Sequence, residues 1–151
     1  MCTTLINENN VKPIAIYVHG LGSGAASTTV RMVCKIFSEY EWIAIEVNEN
    51  PFESVEKINA TVSNPSLLMG TSLGGYYVFY ADAPCATKVI CNPAMNIAKL
   101  IRYKIGFGTY SYFVERQDGN TEYTLDEAVC RRFTEYESSH KVVNGTKNYA
   151  L

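Results

Sequence analysis

Histidine is nearly absent from this sequence, and its other metal-binding side chains are scattered. Among 151 residues there are two histidines, His19 and His140, and five cysteines, Cys2, Cys34, Cys85, Cys91 and Cys130. No two cysteines form a C-x-x-C pair, so a structural zinc site of the usual spacing is not expected. An odd number of dispersed cysteines fits a reducing compartment, where each packs as a small apolar residue. No cofactor or metal is implied. Runs of like charge are lacking too. Thirteen Lys and Arg oppose 15 Asp and Glu, a net charge of -2, which gives no electrostatic reason to expect nucleic acid or an anionic membrane as partner. The longest apolar runs span five or six residues, against roughly 20 for a bilayer-crossing helix. Met1 to Val11 holds Glu8 and three asparagines around no apolar segment, unlike a signal peptide. A cytoplasmic protein is the expectation.

What is present is an ordinary globular composition, 47% apolar and 19% charged, in a chain of single-domain length. Four short apolar runs alternate with helical spacing. Ile14-Ala15-Ile16-Tyr17-Val18 is continuously apolar and reads as a strand buried on both faces. Val30, Val33, Cys34, Ile36 and Phe37 recur at helical spacing behind Thr28 or Thr29 as N-cap. Trp42 to Val47 reads as a second strand, and Phe52, Val55, Ile58 and Val62 as a second helix. Ser66 to Met69 and Lys88 to Cys91 complete the strands, with a helix over Tyr76 to Ala81 between them. Alternation of this kind predicts a mainly parallel sheet in a three-layer α/β/α sandwich, with ligands at the carboxyl ends of the strands. After Asn92 the regularity fades. Ile97 to Tyr103 has helical spacing, and residues 104–124 read as a lid or long loop. Thr124-Leu125-Asp126-Glu127 resembles a capping box opening a last helix to about Glu137. The tail from Ser138 to Leu151 reads as irregular, with no fifth strand.

Two glycine-rich turns follow strands. Gly70-Thr71-Ser72-Leu73-Gly74 is a G-x-S-x-G pentapeptide between a strand and a helix, with Gly75 directly after it. In that setting the serine is presented as a nucleophile on a strained turn, and the flanking glycines remove side chains that would clash. The helix N-terminus behind Ser72 favours developing negative charge, and the Leu73 N–H is positioned as an oxyanion donor. His19-Gly20-Leu21-Gly22 supplies the other half, with Leu21 N–H as second donor and His19 as a brace of the turn.

The run Tyr17-Val18-His19-Gly20-Leu21-Gly22-Ser23, together with Gly70 to Tyr77 and Cys91-Asn92-Pro93-Ala94, resembles the small YqiA-type esterases of the α/β-hydrolase superfamily. The likeness covers about residues 14 to 137. It implies the strand order second, first, third, fourth, with Ser72 on a central strand, and a small-molecule carboxylic ester as substrate. Members of that family continue with a strand ending in a catalytic Asp and a segment carrying the catalytic His. Measured against them, this chain reads as C-terminally truncated.

Within the chain, order permits His140 as the base and Asp118 or Asp126 as the acid. Asp118-Gly119 is also a turn signature, and Asp126 suits the first turn of a helix. Without an activated base, serine is a poor nucleophile. A non-catalytic module that binds a ligand or partner is therefore a second reading. A third is dinucleotide binding, with Gly20, Gly22 and Ala25 fitting G-x-G-x-x-A and Glu46 as ribose ligand. A sheet ending at its fourth strand would expose an apolar edge and favour a homo-oligomer.

Overall fold

The computed structural model describes residues 11–61, 63–82 and 87–140, and the backbone of 147–150. Strand β1 (Ile14–Val18) leads through α1 (Thr28–Ile36) to β2 (Glu41–Ile45). Helix α2 (Pro51–Thr61) then returns to β3 (Leu67–Thr71), and α3 (Leu73–Tyr80) leads to β4 (Thr87–Cys91). Beyond β4, α4 (Ile97–Leu100) continues into a π-helical turn, Ile101–Ile105. A two-stranded ribbon, β5 (Gly108–Ser111) and β6 (Glu122–Leu125), precedes α5 (Glu127–Ser139) and β7 (Lys147–Ala150).

The sheet is wholly parallel in the order β2-β1-β3-β4-β7, which places β3 at its centre. Right-handed crossovers then decide which helix covers which face. The step from β1 to β2 runs one way along the sheet, and every later step runs the other way. Helix α1 therefore lies on one face, and α2, α3 and α5 lie on the opposite one.

Burial follows this asymmetry. Ile16, Val18, Ile45, Leu68 and Ile90 share one face and are buried in a single core with Val55, Ile58, Tyr76, Tyr77, Val78 and Phe133 of the three helices. The α1 face carries Leu67, Met69, Val89 and Cys91, all half-buried. Ala15 and Tyr17 are the buried exceptions there, and Tyr17 is the large one. Its ring meets Trp42 edge-on and its hydroxyl lies 2.8 Å from Thr71 Oγ1, so a polar tip is satisfied while the ring stays buried.

Four expectations change. The first helix is capped by Ser27, whose hydroxyl accepts the Val30 N–H at 3.4 Å, and not by Thr28 or Thr29. Thr124 lies in β6, and the cap of α5 is Asp126, which accepts the Val129 N–H at 2.8 Å. The segment read as a long loop contains the antiparallel β5–β6 ribbon, in which Gly108 pairs with Leu125 and Ser111 with Glu122. Glu122, Tyr123, Thr124 and Leu125 alternate exposed and buried, the period of a strand with one covered face. Finally, Lys147–Ala150 adds a fifth parallel strand beside β4. A parallel edge strand is held by its backbone ladder and needs no apolar run of its own. The β4 edge, expected to be open, is thereby covered.

Candidate active site

Ser72 occupies the single residue between β3 and α3 and has φ 55° and ψ -118°. A non-glycine residue in that region is strained, by an amount on the order of 1–3 kcal/mol, and persists only where its surroundings impose it. Here they do. The Ser72 N–H donates to Cys91 O at 3.0 Å, and Ser72 O accepts the N–H groups of Tyr76 at 3.1 Å and Ala94 at 3.0 Å. Both peptide groups of the strained residue are thus tied to the end of β4 and to the first turn of α3.

The flanking glycines are required by contact. A Cβ on Gly74 would lie 2.1 Å from Val18 O, and one on Gly70 would lie 2.3 Å from Gly74 O. Gly75 packs on the end of β4, where a Cβ would sit 3.3 Å from Pro93 Cα. Gly20, from the turn after β1, is close enough that its Cβ would be 3.3 Å from Ser72 Cβ. The two glycine-rich turns meet at the serine, as their places at adjacent strand ends require.

Neither the Leu21 N–H nor the Leu73 N–H donates to an acceptor among the described residues. For Leu73 this follows from its place as the first residue of α3, where helical N–H groups have no intrahelical partner. Such amides are free to receive a developing oxyanion.

A cavity of about 130 Å³ opens beside Ser72. Leu21, Leu73 and Ala94 line it near the serine. Ile97, Leu100 and Ile101, with Leu125 and Phe133, make the rest apolar, and Glu49 is the one ionisable side chain among its lining. Glu49 was not singled out by any motif. Burial raises the pKa of its carboxyl above the ordinary range, while a hydrogen bond from the Tyr112 hydroxyl, at 3.2 and 3.3 Å from its two oxygens, opposes that rise.

His19 is 3% exposed and is not among the residues that line this cavity. Its Nδ1 lies 2.9 Å from Gly20 O, and its Nε2 lies 3.2 Å from the Val47 N–H. Gly20 O can only accept, so Nδ1 carries a proton; Nε2 accepts the Val47 N–H in the neutral ring and can donate to Glu46 Oε1 only when the ring is protonated. Burial, which lowers the His19 pKa, favours the same neutral ring. Glu46 Oε1 lies 3.0 Å from Nε2.

That carboxylate is occupied by other donors. It takes the Ala25 N–H at 2.9 Å, the Gln117 N–H at 2.9 Å and Arg116 Nη1 at 3.3 Å. Arg116 also donates to Ser23 O and Val47 O, each at 2.9 Å, and to Asp118 at 2.6 Å, and it stacks 4.1 Å over the Tyr112 ring. One buried guanidinium therefore fastens the ribbon segment to the Gly20–Gly24 turn. A nucleotide ribose finds no free carboxylate here. Glu46 is 5% exposed and fully engaged, and a Cβ on Gly24 would already press on Glu46, Val114 and Arg116. This corrects the dinucleotide reading of Gly20, Gly22 and Ala25.

His140 is not brought to Ser72. It terminates α5, stacked on Tyr136 with ring centroids 3.9 Å apart and edge-on to Phe52. Phe133 of the same helix lines the serine cavity, and His140, seven residues on, stands about 10 Å further along the axis at 1.5 Å per residue. Asp126 caps that helix, and Asp118 is bound to Arg116, which pulls its carboxyl down to about 2. The acid and base that chain order permitted are thus spread over three separate places.

A parallel sheet in the order second, first, third, fourth, with a strained serine between its central strand and the next helix, defines an α/β-hydrolase fold. The chain belongs to the family described as Uncharacterised protein family (UPF0227), which it matches over residues 14–143. Among solved structures it is similar to Est1E from Butyrivibrio proteoclasticus, with a TM-score of 0.55 and 18% identity, over 83% of this chain and 60% of that one. The chain therefore spans 60% of that protein's length. At such identity the likeness establishes the fold. No curated protein matches the chain. Among the described residues, no helix is long and apolar enough to cross a membrane, and no group of three His, Cys, Asp or Glu could hold a metal ion.

Proposed function

We propose that the chain is a serine hydrolase of the carboxylic-ester type, with Ser72 as nucleophile and the Leu21 and Leu73 N–H groups as oxyanion donors. The observation that carries this reading is the backbone of Ser72. A positive φ at a half-buried serine, fixed by three hydrogen bonds from β4 and α3, is strain with no packing benefit, and strain of that kind collects at reacting residues. Attack by the Ser72 oxygen on an ester carbonyl would place the new oxyanion where two unpaired amides converge, and the apolar cavity would take the acyl chain. The size of that cavity favours short chains. Such a substrate is a small molecule, and the five dispersed cysteines support a cytoplasmic setting for the reaction.

A second reading is supported by one observation. Neither histidine shares the cavity with Ser72, and a serine without a base reacts slowly. The same pocket would then bind a small ligand without turning it over. Intact mass after treatment with a fluorophosphonate probe separates the two. The hydrolase reading expects one adduct, absent from Ser72→Ala and retained by His140→Ala. A folded protein that takes up no probe would establish the binding-module reading instead.

A further inference from the structure

The cavity beside Ser72 is apolar except for one carboxyl group, and among the described residues that group makes no direct ion pair. Glu49 reaches it from the segment between β2 and α2. Among the described residues its one hydrogen-bond partner from another residue is the Tyr112 hydroxyl, shared between its two oxygens at 3.2 and 3.3 Å, beside its own backbone N–H. The nearby guanidinium of Arg116 is committed elsewhere, to Asp118, Glu46 and two carbonyls. Glu49 also lines a second, more polar cleft with Glu53, Glu122 and Arg132, so it stands where the apolar cavity meets a charged one. A half-buried carboxylate held only by neutral donors, with the Arg116 charge acting on it from beyond contact, has unused acceptor capacity, and an apolar wall raises the value of any charge that satisfies it.

We propose that Glu49, oriented by Tyr112, is a specificity-determining residue that receives a protonated amine on the ligand of the Ser72 cavity. This rests on the cavity being the ligand site, as in the function proposed above. A ligand suited to both parts carries a short apolar segment against Ile97, Ile101 and Phe133 and an ammonium group against Glu49. The carboxylate accepts from the ammonium in a charge-assisted hydrogen bond, worth roughly twice a neutral one. The same carboxylate repels anionic ligands of equal size. Arg116, stacked over the Tyr112 ring at 4.1 Å from its centroid, holds that tyrosine in place.

Equilibrium binding of n-butylammonium, n-butanol and butyrate to the intact chain tests the proposal without relying on turnover. The wild type is expected to bind the ammonium at least about tenfold more tightly than butyrate, since a charge-assisted pair replaces a like-charge contact. Glu49→Gln should bring the two within about twofold, while butanol binds wild type and variant alike and so reports an intact cavity. Tyr112→Phe, which keeps the carboxylate but frees it, should give an intermediate ratio. Equal affinity for the ammonium and butyrate in the wild type would overturn the proposal, as would an unchanged ratio in Glu49→Gln. Probe labelling of Ser72 reads the hydrolase reaction separately. The amine preference can hold in a chain that takes no probe, and it can fail in one that does. If Glu49→Gln also lost probe labelling while keeping the amine preference, the carboxyl would be acting on Ser72 and not on the ligand, and the proposal would fall.

Discussion

Arg116 Nη1 lies 3.3 Å from Glu46 Oε1, and the two side chains are 1% and 4% exposed. An ion pair this deep gives little net stability as a pair, yet removal of one partner leaves an uncompensated buried charge. Arg116→Met should therefore destabilise the protein by roughly 3–5 kcal/mol. Combining it with Glu46→Gln, which removes the unpaired charge but keeps an acceptor for only one of the Ala25 and Gln117 N–H groups, since these bond different oxygens, should still cost less than Arg116→Met alone. Urea unfolding of both variants measures this. Equal losses would mean that the Glu46 charge, left unpaired by Arg116→Met, is not what destabilises that variant.

Gly74 faces a harder limit. A Cβ there meets backbone at 2.1 Å, and no rotamer can relieve contact with a carbonyl oxygen. Gly74→Ala is expected to cost at least about 3 kcal/mol, the upper range of overpacking, or to prevent folding. By contrast, a Cβ on Gly119 meets nothing, and its positive φ of 75° predicts only the local cost of a left-handed residue, about 1 kcal/mol. Thermal denaturation of the two variants should rank them far apart.

The strain at Ser72 predicts a stability gain on losing the side chain. Ser72→Gly removes the Cβ from an unfavourable φ, while Ser72→Ala keeps it. The glycine variant should be the more stable by on the order of 1 kcal/mol, after allowing for the greater unfolded-state freedom of glycine. Both should fail to label with a fluorophosphonate. An alanine variant as stable as the glycine one would show that the turn is relaxed.

Glu49 predicts a pH-dependent effect of the opposite kind from an ordinary salt bridge. Its carboxyl is raised by burial, so the folded state holds its proton more tightly than the unfolded chain does. Ionisation is then a penalty on folding. That penalty is absent below the ordinary carboxylate range near 4.5 and complete once pH passes the raised folded value. Glu49→Gln should increase Tm at pH 7 and leave it unchanged at pH 4. A variant destabilised at neutral pH would indicate that the charge is already compensated in the wild type.

Much of the sheet was legible because each strand is a short apolar run and each crossover a helix of ordinary spacing. The serine turn was legible because the spacing of glycines around the serine is a local signature, although Gly74 is demanded by Val18 O on a strand far away in sequence. Glu49 and Arg116 left no such trace. Glu49 meets Tyr112 and Arg116 meets Glu46 across long stretches of chain, and an isolated Glu or Arg in a polar segment looks like any solvated charge. Thr124 shows two local signals in competition. The capping-box spacing and the strand alternation of Glu122 to Leu125 overlap, and burial of Tyr123 and Leu125 decided for the strand. Lys147–Ala150 was missed because a backbone ladder carries no side-chain pattern.

The amide of Ser72 is bound to Cys91 and its carbonyl to Ala94, residues on the far side of α3 that reach the turn only when β4 has joined β3. No peptide containing the glycine-rich pentad alone would hold the serine in its strained geometry. The strained geometry of Ser72 is therefore a property of the assembled sheet, and the reactivity proposed for it would be lost in a partly unfolded chain. Along a denaturant titration, the loss of the nucleophile should coincide with the global unfolding midpoint and not precede it.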